Sequence, residues 1–472
     1  MSRSALNRTV MLFLLATLPL SGCDRLSSGG KQQEIVDAYV AFRTALSAGD
    51  LAKATGLMTS SKVKEIKADP AAGDKLRLAA FLLPGTMAVM RVTVEGDSAT
   101  LSLREGAMVT LAGGSAAPRL ALPGFAGSAA SGTVTFVREE KLWKLDKESW
   151  QHDLTGSARM PASPRPFLRD GGALPRLLRT MGGQSGTPMR GGDGVAAVPD
   201  STTVIAIGDQ GIVMFASGDG REIARGAMEH HPTAVGVTPD GGVAITIDTY
   251  GGVTFWPLTP AGFGQPQRSG NVGQSSGMAI SRDGRHLATA SYDKSVAIWD
   301  IGARREIARV TMPEPMRSVA FSPSGQLLAA GSATNSFTLW DLESGTGRSY
   351  KIPKVDAKSD VSGIAFSPDG KRLATTHMDS SITLWDVATQ TEVKNFFVSQ
   401  SSSWTVRFSP DGRLFATATQ GGSINLWNSS DGAKLGELKG QPSQPMGLAF
   451  SADGSVLYSL GERGEVAVWG GE

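Results

Sequence analysis

Over the last two thirds of the chain, short apolar runs alternate with polar turns at a nearly constant spacing. The segments "MRSVAFSPSGQLLAAGSATNSFTLWDLESG" and "VSGIAFSPDGKRLATTHMDSSITLWDVATQ" align position by position. The same frame returns in "WTVRFSPDGRLFATATQGGSINLWNSSDG", "GMAISRDGRHLATASYDKSVAIWDIGAR" and "MGLAFSADGSVLYSLGERGEVAVWGGE". Two degenerate copies precede them, "GVAAVPDSTTVIAIGDQGIVMFASGDG" and "AVGVTPDGGVAITIDTYGGVTFWPLTP". The turn position falls on Asp200, Asp240, Asp283, Ser324, Asp369, Asp411 and Asp453, at spacings of 40, 43, 41, 45, 42 and 42.

Each copy predicts four short strands. A first strand such as Val319-Ala320-Phe321 ends in a Ser-Pro-Asp-Gly-type turn, where Pro presets φ and Gly takes the left-handed position. A second strand of Leu, Ala and Thr follows. The third alternates, as in Ile382-Thr383-Leu384-Trp385, and a fourth resembles Glu306-Ile307-Ala308-Arg309. Four strands per unit, with Trp-Asp closing the third, is similar to the WD-repeat β-propeller. Trp256, Trp299, Trp340, Trp385, Trp427 and Trp469 hold the Trp position over residues 175–472. That resemblance implies seven blades. The last copy stops after its third strand, and "PRLLRTM", residues 175–181, carries the fourth-strand pattern that would complete it. The copies depart from the family pattern: the Gly-His pair is replaced by Gly270-Asn271 and Gly440-Gln441, and only Asp293 and Asp379 keep the loop acid. The Asp-His-Ser-Trp hydrogen-bond network of the family is therefore expected to be mostly absent.

The front of the chain follows other periods. Ile35, Tyr39, Phe42, Leu46 and Leu51 recur at helical spacing, and Ala48-Gly49-Asp50 separates two helices. Alternating segments come next, "MAVMRVTVEGDSATLSLREG" and "SGTVTFVREEKLWKLDKESW", with hairpin turns at Gly96-Asp97 and within Arg138–Lys141. Residues 113–132, rich in Gly, Ala and Pro, are expected to form a long loop. Helices followed by an antiparallel sheet resemble the cone-shaped nuclear-transport-factor-2-like fold, here placed over residues 32–155, with Trp143 and Trp150 in its core. Residues 156–174, punctuated by Pro161, Pro164 and Pro166, read as a semi-extended linker. The expected architecture is thus mainly β, a propeller behind a small α+β domain.

The N-terminus carries Arg3 and Arg8, then an apolar run from Val10 to Leu20, the length of a signal-peptide core and too short to span a bilayer. Leu20-Ser21-Gly22-Cys23 resembles the lipobox of bacterial lipoproteins. The resemblance implies cleavage after residue 22, acylation of Cys23 and a lipidated tether over residues 23–31. Asp24 resembles the inner-membrane retention signal of enteric lipoproteins, so the expected location is the periplasmic side of the inner membrane, with the outer membrane as the alternative. Loss of residues 1–22 removes two Arg and leaves a near-neutral protein without basic runs, which argues against nucleic acid as a partner. Cys23 is the single cysteine, so no internal disulfide or Cys-only metal site is available.

Catalytic chemistry finds little support. The five histidines, His152, His230, His231, His286 and His377, form no metal-ligand motif, and no phosphate cradle or nucleophile elbow is present. No cofactor is expected. Candidate contacts lie instead where equivalent positions of the blades share one end of the ring. Seven residues before each turn lie Asp193, Thr233, Ser276, Arg317, Ser362, Trp404 and Met446; at the ends of second strands and in the loops beyond lie His377, Tyr250, Tyr292, Asn335 and Arg463. Trp404, Arg317, Tyr250, Tyr292, His377, Asn335 and Arg463 are taken as the partner-binding set, Trp, Tyr and Arg being the usual interface anchors. The expected function is a non-enzymatic scaffold binding an envelope protein or peptide. The alternative is a propeller enzyme, or a small-ligand-binding lipoprotein using the ring channel or the front domain's cone.

Overall fold

The computed structural model describes helical positions between 34 and 45 and residues 51–67, 87–95, 97–105, 129–139 and 142–153 in the front part of the chain. Beyond them it describes residues 164–471, apart from gaps at 169–171, 183–193, 200, 209–210, 343–345, 353–358 and 399–401. Cys23, Asp24 and the tether lie outside the described residues, as do Asp193 and Asp200.

In the front unit, β1 (Met87–Glu95), β2 (Ser98–Glu105), β3 (Ala129–Glu139) and β4 (Leu142–Asp153) form an antiparallel meander. In two of its hairpins the pairing runs out to Glu95 opposite Ser98 and to Glu139 opposite Leu142. β3 begins at Ala129, so residues 129–132, expected in a loop, are strand. Ile35, Tyr39 and Phe42 are buried, and the Tyr39 ring meets Phe136 of β3 edge-on at 6.3 Å. Helices Leu51–Gly56 and Ser60–Lys67 are tied to β4 through Met58: Thr59 donates to the Leu145 carbonyl at 2.9 Å, and Leu145 donates to that of Leu57 at 2.9 Å.

The second unit is a ring of seven antiparallel sheets. Blades 1 to 6 cover residues 195–227, 232–271, 275–311, 316–351, 361–397 and 403–438. Blade 7 has Pro445–Phe450, Val456–Gly461 and Glu465–Gly470, and its fourth strand is β5 (Arg176–Gly182), antiparallel to Glu465–Gly470. First strands of consecutive blades adjoin one another, and Val195–Ala197 borders both Pro445–Phe450 and Pro232–Val237, so the ring is closed. Closure leaves no blade face open to strand addition at a seam.

Aromatic rings join the blades. Phe396, on the outer strand of blade 5, sits 4.7 Å from Trp427 of blade 6; Phe337 of blade 4 sits 5.1 Å from Trp385 of blade 5. Where the Trp needs more room the facing residue is glycine. A Cβ on Gly270 of blade 2 would come within 2.4 Å of Trp299. At the opposite end of each blade the turn residues lock one another. In blade 5 the Ser367 hydroxyl donates to Asp369 Oδ1 (2.6 Å), which also accepts the Lys371 N–H (3.0 Å), while Arg372 N–H donates to Ser367 Oγ (2.9 Å). Burial alone would raise the Asp369 pKa, but these donors and Lys371 hold it below the usual carboxylate value. Blades 3, 6 and 7 repeat this turn through Asp283, Asp411 and Asp453.

Within the stretch read as linker, part of the chain belongs to the ring. Arg165 N–H donates to the Asp453 carbonyl at 2.7 Å, and Phe167 is buried between blades 6 and 7, edge-on to Phe450 at 5.3 Å. An apolar ring directly after Pro166 docks where free linker was expected, because Phe167 can bury its surface there. Phe167→Ala is expected to destabilise the propeller by about 3 kcal/mol, read as a lower urea midpoint, whereas a free linker would leave the midpoint unchanged.

Candidate functional site

In six blades the first strand carries a β-bulge at the same place. The ladder skips Thr233, Ser276, Arg317, Ser362, Trp404 and Met446, one per blade from blade 2 to blade 7. A bulge leaves its extra residue out of the pairing and re-aims the side chain. These are the positions that counting back from the turns singled out. A constant backbone bond frames each one: the residue after the second strand donates to the carbonyl of the residue before the first. Examples are Tyr292 to Gln274 (2.9 Å), Met378 to Asp360 (3.2 Å) and Gln420 to Ser402 (2.9 Å). The loops at this end are thereby fixed against the innermost strands.

Two of the bulge residues serve the ring itself through their hydroxyls. Thr233 Oγ1 donates to the Ser275 carbonyl (3.2 Å) and Ser362 Oγ to the Ser403 carbonyl (2.5 Å), each crossing to the next blade. In blade 4 the adjacent Ser318 makes that crossing, to the Val361 carbonyl at 2.9 Å, so Arg317 is relieved of it. The Arg317 guanidinium instead ion-pairs with Asp360 of blade 5 and lies 5.8 Å above the Trp404 ring of blade 6. Three consecutive blades thus contribute a cation, an anion and an indole to one half-buried cluster. Partial desolvation makes both the ion pair and the cation–π contact stronger than they would be in open water.

Asp360 was not singled out from sequence. The signal was present: equivalent positions carry the uncharged Gln274, Pro315, Ser402 and Gln444, with His231 in blade 2. The other expected contacts are dispersed. Tyr250 is 64% exposed in its blade 2 loop, its ring 4.5 Å from that of His230. Tyr292 and Asn335 are half-buried in the loops of blades 3 and 4. Arg463 is exposed in blade 7, its N–H donating to Ser443 Oγ at 3.3 Å. Among the described residues, no group of three His, Cys, Asp or Glu is placed to hold a metal.

His377 must be withdrawn from the contact set, because it is fully buried. Its Nε2 lies 3.0 Å from Thr375 Oγ1. In blades 2 and 6 the equivalent threonine accepts the Trp indole N–H, Trp256 to Thr246 and Trp427 to Thr417, both at 3.0 Å; in blade 7 Trp469 donates to Ser459 at 2.8 Å, and Ser459 to Gln441 at 2.5 Å. Part of the expected-absent network therefore survives, with Gln441 where a histidine was anticipated. In blade 5 the imidazole takes the hydroxyl, and Trp385 Nε1 and His377 Nδ1 have no hydrogen-bond partner among the described residues.

Residues 319–406 match the family described as the anaphase-promoting complex subunit 4 WD40 domain, and residues 264–300 and 391–428 match the WD domain, G-beta repeat. The ring is a WD40-repeat propeller. Among curated proteins, the chain is similar to the periodic tryptophan protein 2 homolog of Schizosaccharomyces pombe, 31% identical over 94 residues, which is 20% of this chain and 10% of that protein. It is 28% identical over 79 residues to human echinoderm microtubule-associated protein-like 1, covering 17% of this chain and 10% of that one. With the WD repeat and SOCS box-containing protein 1 of Takifugu rubripes it shares 36% identity over 64 residues, 14% of this chain and 15% of that protein. The chain spans 10% to 15% of the length of these curated relatives.

Burial lowers the His377 pKa to about 4, against the opposing charge of Asp379. An unfolded histidine near 6.5 binds protons that the folded one refuses, so His377 makes stability fall as pH drops from about 6.5 to about 4, by at most about 3 kcal/mol. His377→Thr, matching Thr419 of blade 6, frees Thr375 for the Trp385 indole and is expected to flatten the urea midpoint between about pH 7 and pH 4. An unchanged pH profile would assign that dependence to another group.

Proposed function

We propose that this chain is a non-enzymatic scaffold of the bacterial cell envelope whose WD40 ring docks a protein partner over the Arg317–Asp360–Trp404 cluster. WD40 domains are platforms for protein–protein contact, and the chain's own residues support the same use. Of the bulge residues, Thr233 and Ser362 stitch blades through hydroxyl-to-carbonyl bonds and Met446 is buried, whereas Arg317 and Trp404 bring a half-buried cation and indole into one cluster. That division carries the reading. Trp and Arg in a partly desolvated cluster are the residue types that anchor interfaces.

In this proposal Cys23 is acylated and holds the protein to the membrane, Asp24 retains it at the inner membrane, and the ring works in the periplasm. Two or more acyl chains, at about 0.8 kcal/mol per buried methylene, give a lasting anchor. The front unit, read as a nuclear-transport-factor-2-like cone, serves as a spacer between tether and ring.

Arg317→Ala combined with Trp404→Ala is expected to cut recovery of the cross-linked partner from membranes at least tenfold, with an unchanged circular dichroism spectrum. Full recovery would remove this cluster from consideration. The anchor is checked separately: radiolabelled palmitate is expected to enter the intact chain and not Cys23→Ser, and equal labelling of both would refute acylation at Cys23.

A further inference from the structure

Blade 5 holds its loop more loosely than its neighbours hold theirs. The backbone bond that frames each bulge is 2.8 to 2.9 Å in blades 2, 3, 4, 6 and 7, where Thr249, Tyr292, Ala333, Gln420 and Glu462 donate. In blade 5 it is 3.2 Å, from Met378 N–H to the Asp360 carbonyl. The turn bond beside it, Ser380 N–H to the His377 carbonyl, is also 3.2 Å. Ser380 has φ of 73°, a left-handed backbone that disfavours a side chain and that blades 2, 6 and 7 give to Gly251, Gly422 and Gly464. Slack bonds and a strained turn mark a segment that opens at low cost.

The same loop holds the cluster together. Met378 N–H bonds the backbone of Asp360, whose carboxylate pairs with Arg317, and Asp379 N–H donates to Ser359 Oγ at 3.0 Å. The Met378 carbonyl accepts Ser402 Oγ at 2.5 Å, two residues before Trp404. The anion of blade 5 and the indole of blade 6 are thus tied to the two residues that follow His377. His377 is fully buried, opposite Val361 in the ladder. One ring nitrogen meets Thr375 Oγ1, and Nδ1 has no hydrogen-bond partner among the described residues. An imidazolium there would bury an N–H without an acceptor. The charged groups on the strands about it are Asp360 and Arg317, paired with each other, Arg372 and Asp386, paired at the far end of the blade, and Arg407 of blade 6. Asp379, in the loop that follows, is the charge that acts on the imidazole.

We propose that His377 makes docking acid-sensitive: its protonation expels the ring from blade 5, Met378 and Asp379 release Asp360 and Ser359, and the Arg317–Asp360–Trp404 cluster comes apart. The inference rests on the reading of that cluster as the docking site. The sign follows from the two states of the loop. In the closed loop burial lowers the His377 pKa to about 4, so the ring stays neutral. Released into water, an imidazole takes up its proton near pH 6.5. Opening is therefore favoured as pH falls from about 6.5 to about 4, and at pH 5 the open fraction is raised about 30-fold. Below about pH 4 both states are protonated and the effect levels off.

The test reads hydrogen exchange by mass spectrometry on the full chain carrying Cys23→Ser, at about pH 7.5 and about pH 5, with intrinsic rates divided out. Peptides covering residues 377–381 are expected to open about 30-fold more at the lower pH. Those covering 291–295 and 419–423, where Ser291 and Thr419 replace the histidine, are expected to show no such rise. His377→Thr is expected to abolish the rise in blade 5, and oxidative labelling of Trp404 to increase at pH 5 in the parent chain and not in this variant. In membranes holding the acylated chain, the formaldehyde cross-link that Arg317→Ala with Trp404→Ala removes is expected to fall at least threefold at pH 5, and to stay level in His377→Thr. A rise in blade 5 no larger than that in blade 6, or one that His377→Thr retains, would overturn the proposal. A cross-link equal at both pH values, yet still lost in the double-alanine variant, would overturn the acid switch and leave the docking site standing. A cross-link that the double-alanine variant keeps would overturn the docking site, and the switch with it.

Discussion

The ring depends on the hydrogen bonds between β5 and Glu465–Gly470. Val466 faces Met181, Val468 faces Arg179, and Met181 buries its side chain in the core shared by blades 7 and 1. Without that strand blade 7 would present a bare ladder edge, and the cluster that joins it to blade 1 would lose an apolar member. Phe167, wedged between blades 6 and 7, secures the same seam from another direction. The contact geometry at the loop-bearing end relies on closure, since Arg317, Asp360 and Trp404 belong to three separate blades.

Much of the fold was legible because the repeat is written at several levels at once. Asp369, Asp411 and Asp453 carry the turn chemistry, and Trp385, Trp427 and Trp469 mark the third strands at matching offsets. Counting back from the turns also reached the positions that bulge. The division of labour among them was not visible, because a serine that crosses to the next blade and one that does not look alike in a string of letters. Asp360 was missed because it matters only through Arg317, 43 residues away. His377 was misjudged because its place at a strand end suggested exposure, while the imidazole in fact takes the hydroxyl that other blades give to an indole. Phe167 was assigned to a linker because neighbouring prolines dominate its composition, and a single aromatic anchor has no period to detect.

One device recurs from blade 2 to blade 7. A bulge on the first strand takes one residue out of the pairing and re-aims its side chain. Because ladder and turns hold the backbone of each blade alike, side chains at these skipped positions can vary with little effect on the frame. Arg317 and Trp404 differ from Thr233 and Ser362 in this way. Specificity is concentrated where the pairing rules are locally suspended.

The pairing of Arg176 with Gly470 also bears on biogenesis. β5 leaves the ribosome before any blade strand, yet its partner is made after six blades are complete. Until then the early segment has no native pairing, and neither does the exposed flank of blade 1. Such an arrangement ties final assembly to the last stage of translation. It also defines the last intermediate before closure: an open horseshoe with a free strand at one tip.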